Sequence, residues 1–232
     1  MFRFGCQYNG IGTSGVDMEQ IKNEKNAKIV LDIIQAIHEN AAYLSEVDGA
    51  TGDGDHGVNM NKGFLMAKER INEEMSFSDA LKILGRTLVM DIGGSMGPIY
   101  GTFFNRLSKV ICKSDVVDKY VLSQALNNAT EGLMDLAGAK VGDKTLIDTV
   151  YPAKEAFQKA VNQNENFVTC LEILSNAAEE GKENTKNMVA KIGRAARLGE
   201  RSKGFLDAGA TSCCIILKTM AASMIAELNE EK

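Results

Sequence analysis

Apolar residues recur along this chain at helical spacing. Val30, Ile33, Ile34, Ile37, Ala41 and Leu44 follow i, i+3, i+4, i+7, i+11, i+14 and line one face of a helix. That spacing predicts a first helix from about Asp17 to Leu44. The same period returns in Val121, Leu122, Ala125, Leu126, Ala129, Leu133 and Leu136, then in Val168, Leu171, Leu174 and Ala178, and again in Ile216, Leu217, Met220, Met224 and Leu228. No comparable run of period-2 alternation marks a strand. Glycine-rich breaks at 48–57, 93–101, 138–142 and 199–209 separate these segments and predict short loops. Each helix has one apolar stripe to bury, and short connections make neighbours antiparallel, so the expected product is a single all-α bundle. Residues 1–16 carry Gly5, Gly10, Gly12 and Gly15 with few apolar side chains. They are read as a loosely ordered N-terminal arm ahead of one domain over 17–232.

Composition narrows the function classes. A chain of 232 residues that is 44% apolar can bury a sizeable core. With 26 Lys+Arg against 31 Asp+Glu the formal charge is -5, which makes duplex nucleic acid a poor first guess for a partner. The longest strictly apolar stretches, such as Cys213 to Leu217, fall far short of the roughly 20 residues a bilayer crossing needs. The opening MFRFGCQYNGIGTSG has no signal-peptide core, so the expectation is a cytoplasmic protein with no membrane role. Five cysteines without a C-x-x-C pair argue against a disulfide framework and a thiolate zinc site. Only His38 and His56 supply imidazoles, so any bound metal must be held by oxygen.

The most informative stretch is Asp48-Gly-Ala-Thr-Gly-Asp53-Gly-Asp55-His56-Gly57-Val58-Asn59-Met60, with three carboxylates in eight residues directly before a helical segment. Glycines at 49, 52, 54 and 57 let the backbone turn sharply enough to converge Asp48, Asp53 and Asp55 on one point. Converging oxygens suit Mg²⁺ or Ca²⁺. Counted from Asp53, an EF-hand needs an oxygen ligand at position 5, Gly at 6 and Glu at 12, and the chain supplies Gly57, Val58 and Phe64. Mg²⁺ remains the better match, because it sits on a few carboxylates with waters and substrate phosphates completing its shell. The competing reading is a solvated turn in which Asp and Gly satisfy turn geometry and cap the next helix. His56 beside Asp55 is open to three roles: phosphate hydrogen-bond donor, general base, or a loop histidine held by a carboxylate.

Three further segments carry weaker signals. Gly93-Gly94-Ser95-Met96-Gly97-Pro98 precedes an apolar segment, and such a turn presents N–H groups and a hydroxyl to an anion, or serves close packing. Val141-Gly142-Asp143-Lys144-Thr145 lacks the Walker A frame and reads as a helix start capped by Asp143 or Thr145, with Pro152 bending or restarting the helix. Gly193-Arg194, Arg197 and Gly199-Glu200-Arg201-Ser202, then Asp207-Ala208-Gly209, join basic residues to another glycine turn. The arginines there could meet a nucleotide or pair with Glu200.

In this order, the blocks resemble the L subunit of bacterial dihydroxyacetone kinases, equivalently the nucleotide-binding domain of the single-chain enzymes. The resemblance rests on Asp48 with Gly52 to Met60, Gly93-Gly94-Ser95 with Gly97 to Gly101, Gly142 to Thr145, Gly193-Arg194 with Leu198 to Ser202, and Asp207 with Gly209 to Ser212. It spans roughly residues 17–230. It implies an eight-helix antiparallel barrel that binds ADP or ATP at one end through two Mg²⁺ ions on Asp48, Asp53 and Asp55, the residues on which catalysis would also turn. Nucleotide contacts carry over to His56, Gly57, Val58 and Asn59, to the Gly94-Ser95 turn, to Arg194, and to the turn Asp207-Ala208-Gly209. Leu146 stands where the family typically has Met against the adenine. Two departures concern the site: Met96 replaces a phosphate-facing Ser, leaving its backbone N–H, and Ala208 replaces a turn proline.

As an enzyme, such a subunit passes phosphate to dihydroxyacetone held on a histidine of a separate DhaK-type subunit. The donor is exchangeable ATP, or tightly held ADP recharged by a phosphotransferase-system phosphocarrier of the DhaM type. A tetrulose could replace dihydroxyacetone. The rival reading is a nucleotide-binding regulatory module without transfer activity, since the family also contacts transcriptional regulators.

Overall fold

A computed structural model describes residues 19–230, so the arm expected over 1–16 lies outside the described residues. Among them are nine α-helices: α1 (Lys28–Glu39), α2 (Ala41–Gly49), α3 (His56–Lys68), α4 (Phe77–Asp91), α5 (Met96–Ile111), α6 (Lys119–Ala137), α7 (Ile147–Asn162), α8 (Phe167–Asn184) and α9 (Ala208–Glu230). The all-helical expectation holds, and Pro98 falls in the first turn of α5, where its missing N–H costs nothing. α7 continues through Pro152.

The single first helix expected from Asp17 to Leu44 is corrected. Its start is instead a strand, β1 (Gln20–Lys22), antiparallel to β2 (Val116–Asp118), with Ile21 opposite Val117 and both buried. Asn23 stops any helix there: its amide donates to the carbonyls of Ile111 and Ser114, and its oxygen accepts the Ser78 N–H. Lys25 then turns through a left-handed φ of 53°. Asn40 divides the remainder into α1 and α2, with its side-chain amide on the Ala36 carbonyl at 2.8 Å. Such local side-chain bonding competes with helix continuation.

Packing runs α1–α3–α4–α5–α6–α7–α8–α9 and returns to α1, while α2 lies against α3 and α9. The core is continuous through this ring, and Phe64 meets Phe104 edge-to-face at 5.8 Å between ring centroids. α9 is long and apolar enough to cross a membrane by composition, yet 67% of its apolar window is buried against the rest of the fold. It packs on α1, α2, α7 and α8, which is the burial a core helix needs. Gly57 is what lets α3 cross α2: a Cβ there would lie 1.9 Å from the Ala41 carbonyl oxygen and 2.7 Å from the Ser45 nitrogen. That crossing sets the loop of residues 50–55 at one end of the molecule.

Candidate functional site

Asp48 ends the last turn of α2, Asp53 and Asp55 lie on the following loop, and ligand oxygens of all three fall within 4.8 Å of one another. Gly52 permits this, since a Cβ there would stand 2.6 Å from Asp48 Oδ1. Gly54 takes a φ of 77°, which L side chains rarely adopt. Asp55 occupies the N-cap position of α3 without using its side chain as a cap. Turn and cap chemistry accounts for Asp48, whose Oδ2 accepts the His56 N–H at the start of α3, and leaves Asp53 and Asp55 without such a role. Each pair of carboxylates at that separation repels by roughly 1 kcal/mol even in water-like surroundings. The positive charge on the cluster is Arg194, whose guanidinium contacts Asp53 and lies 3.9 Å from Asp55. A set of hard oxygens short of positive charge, of which only Asp48 Oδ2 also accepts a backbone N–H, that of His56, fits a divalent cation such as Mg²⁺.

His56 opens α3 with its backbone N–H 3.4 Å from Asp48 Oδ2. Its Nε2 lies 2.8 Å from the Ser212 hydroxyl, which is 2.6 Å from the Tyr100 hydroxyl. Tyr100 also donates to the Gly209 carbonyl. Burial holds the His56 imidazole down at about 4, against pull from Asp48, so it is neutral at physiological pH. The third of its expected roles, a loop histidine held by a carboxylate, is corrected in the partner: the ring is held by the Ser212 hydroxyl of α9, which Tyr100 of α5 bonds in turn. Gly57 is buried beside it, Val58 is exposed, and Asn59 is half-buried in the same first turn.

Gly94, Ser95 and Met96 form the turn into α5. Gly94 has a φ of 73°, and the exposed Ser95 sits at the N-cap without capping, leaving its hydroxyl uncommitted there. Tyr100, one turn further along α5, ties this turn to the His56 side of the molecule. Leu146 is buried at the start of α7, and the Cβ position of Gly209 is 3.7 Å from its side chain. Asp207 heads α9 and accepts the Ala210 N–H at 2.7 Å, with Ala208 buried behind it. Burial raises its carboxyl to about 6, with Asp148 and Asp48 adding to the rise.

Asp148 and Lys144 hold the turn before α7. The Asp148 carboxylate accepts the N–H groups of Gly142 and Thr145, and the backbone of Lys144 between them takes a left-handed φ of 61°. The start of α7 is thus secured by Asp148. Of the two caps expected from sequence, Thr145 accepts the N–H of Ile147, the first residue of α7, while Asp143 accepts the Lys140 N–H instead. Arg194 opens a 3₁₀ segment, Arg194–Ser202, between α8 and α9. Arg194 meets the acidic loop, which is neither of the partners expected for these arginines, a nucleotide or Glu200. The structure thus brings Asp48, Asp53, Asp55, His56 and Arg194 into contact, joins Leu146 to Gly209, and reaches the Gly94-Ser95 turn through Tyr100. Tyr100, Ser212, Lys144 and Asp148 received no role from sequence. Tyr100, Ser212 and Lys144 lie inside the motif blocks, which was the available signal, while Asp148 lies three residues beyond one.

The all-helical ring carries a carboxylate cluster with the chemistry to hold a cation and, beside it, an arginine with the chemistry to meet an anion. Residues 50–222 match the DAK2 domain model, and the chain belongs to that family. It is 36% identical over 183 residues, covering 77% of this chain and 86% of the relative, to the PEP-dependent dihydroxyacetone kinase, ADP-binding subunit DhaL, of Escherichia coli. It is 30% identical over 220 residues, 90% of this chain and 38% of the relative, to the D-erythrulose kinase of Mycolicibacterium smegmatis. Its fold matches the dihydroxyacetone kinase from C. freundii in complex with AMP-PNP and Mg²⁺ with a TM-score of 0.62 at 21% identity, over 96% of this chain and 38% of that one.

Proposed function

We propose that this chain is the nucleotide-binding, phosphoryl-transfer subunit of a dihydroxyacetone-type kinase that works with a separate DhaK-type, ketose-holding subunit in the cytoplasm. The observation that carries this is the convergence of Asp48, Asp53 and Asp55 within 4.8 Å, with Arg194 as their counter-charge. Those aspartates would hold Mg²⁺, as two ions if the family pattern applies. When bound, Mg²⁺ supplies charge neutralisation on the phosphates.

The chain's own residues do the rest. The first-turn N–H groups of Gly57 and Val58 have no intrahelical acceptor and are available to a phosphate, as are the N–H groups and Ser95 hydroxyl at the head of α5. Neutral His56, held by Ser212, presents a fixed ring beside Asp48. Asn59 follows in the same turn. Arg194 moves its charge from Asp53 to a phosphate oxygen with a small swing of a half-exposed side chain. Leu146, packed beside Gly209 on the turn Asp207-Ala208-Gly209, is the apolar side chain offered to the adenine. Met96 offers its backbone N–H where the family places a serine.

The similarity to PEP-dependent and PTS-dependent DhaL subunits supports ADP recharged by a DhaM-type phosphocarrier as the donor. The erythrulose kinases among the relatives favour a tetrulose as the second candidate acceptor. The test uses the purified chain with a DhaK-type subunit loaded with dihydroxyacetone or erythrulose, Mg²⁺, and either ATP or a phosphorylated carrier. Ketose phosphate is expected with wild type, and at least a hundredfold less with Asp53→Ala, the scale of losing a principal electrostatic group. Nucleotide binding without product in every arm would instead assign a regulatory module, acting through a partner such as a transcriptional regulator.

A further inference from the structure

The chain between α8 and α9 forms a strap with almost no core of its own. Of residues 188–205 only Ala190 and Ser202 are buried, yet this strap carries Arg194 to the acidic loop. What closes its neck is a lysine from another part of the fold. Lys144 is 1% exposed. Its ammonium donates to the carbonyls of Met188 at 3.3 Å, Ser202 at 2.5 Å and Phe205 at 2.7 Å. An ammonium has three N–H donors, and here each has a backbone acceptor. Those acceptors flank Arg194 on both sides in sequence. The same neck is reinforced by the Ser202 hydroxyl, which donates to Gly199 and accepts the Ala190 N–H, and by Lys191 N–H on the Asp143 carbonyl. Lys144 itself is pre-set, because Asp148 fixes the N–H groups of Gly142 and Thr145 around its left-handed backbone.

We propose that Lys144 is a positioning residue: its buried ammonium locks the neck of the strap and so sets the place from which Arg194 serves the nucleotide. The role rests on the reading above, in which Arg194 meets a phosphate. The energetic logic is that of a charged donor whose hydrogen bonds go to main-chain carbonyls, each of which loses its partner when the lysine is removed, with the Asp207 carboxylate adding charge attraction.

ADP affinity in the presence of Mg²⁺ is measured for wild type, Lys144→Met, Arg194→Ala and the double variant, together with native-state trypsin cleavage in the strap at Arg194, Arg197 and Arg201. Lys144→Met is expected to weaken ADP roughly tenfold, about the scale of one charge-assisted hydrogen bond, and to open the strap to trypsin. In the Arg194→Ala background it is expected to cost nothing further. Equal losses in both backgrounds, or unchanged affinity and cleavage, would overturn the role. If Arg194→Ala alone leaves ADP affinity intact while Lys144→Met still exposes the strap, the phosphate role of Arg194 fails and the lock stands. Should Lys144→Met not fold, Ser202→Ala loosens the same neck and is read by the same four-way comparison.

Discussion

Asp207 places a carboxyl at the head of α9, where burial opposes its ionisation and the Ala210 amide and Lys144 partly offset that. Its value rises from 3.8 to about 6. The folded state therefore holds the proton more tightly than the unfolded chain. The stabilising contribution is full below about 4 and is lost as pH rises through about 6. Asp207→Asn keeps an oxygen for the Ala210 amide and cannot ionise. Thermal scans without metal are expected to show the variant gaining on wild type between pH 4.5 and 7, with a constant difference above that. A difference independent of pH would contradict the burial of this group. Arg194 gives a second outcome at this scale. Its guanidinium stands on carboxylates that a cation needs. Mn²⁺ titration without nucleotide is expected to show two- to fivefold tighter binding for Arg194→Ala, the range of a solvent-exposed ion pair.

The acidic loop was legible at the residue scale because all three carboxylates sit in eight residues with glycines between them. Spacing alone carried that information. Tyr100 and Lys144 were not assigned, because their partners lie far along the chain: Ser212 is 112 residues from Tyr100 and Phe205 is 61 from Lys144. Local pattern has no access to such pairs.

Among elements, the long helices were legible from their apolar period, and the misreading falls where two side-chain amides intervene, the buried Asn23 and the half-buried Asn40. Ile21 lies outside the apolar stripe that begins at Val30, and its pairing with Val117 in a three-residue strand offers too few alternations to register as β. Asn40 looks neutral in sequence and acts through its bond to Ala36. Close helix crossing was equally hidden, since glycine 57 reads as loop flexibility while its place is inside α3 against α2. Gly57→Ala is expected to destabilise by about 1–3 kcal/mol in urea titration, the scale of overpacking, because backbone atoms of α2 must move. The same shift displaces the first turn of α3, so ADP affinity falls with it. Unchanged stability would mean that the two helices are not in contact at this point.

At the scale of the whole molecule, the ring of helices brings segments remote in sequence to one end: α2 and α3 with the acidic loop, α5 with its glycine turn, α7 with Leu146, and the strap with Arg194. The site is a product of closure, because each segment alone supplies only one part of it. The family resemblance rests on the same distribution, with motif blocks spread from Asp48 to Ser212. Calorimetric titration of ADP, with and without Mg²⁺, into wild type and into Asp48→Asn, Asp53→Asn and Asp55→Asn variants whose helical circular dichroism is retained tests the central claim most directly. The expected result is ADP binding that requires Mg²⁺ in wild type and is lost in the variants. Binding that is indifferent to Mg²⁺, or that survives all three substitutions, would contradict it.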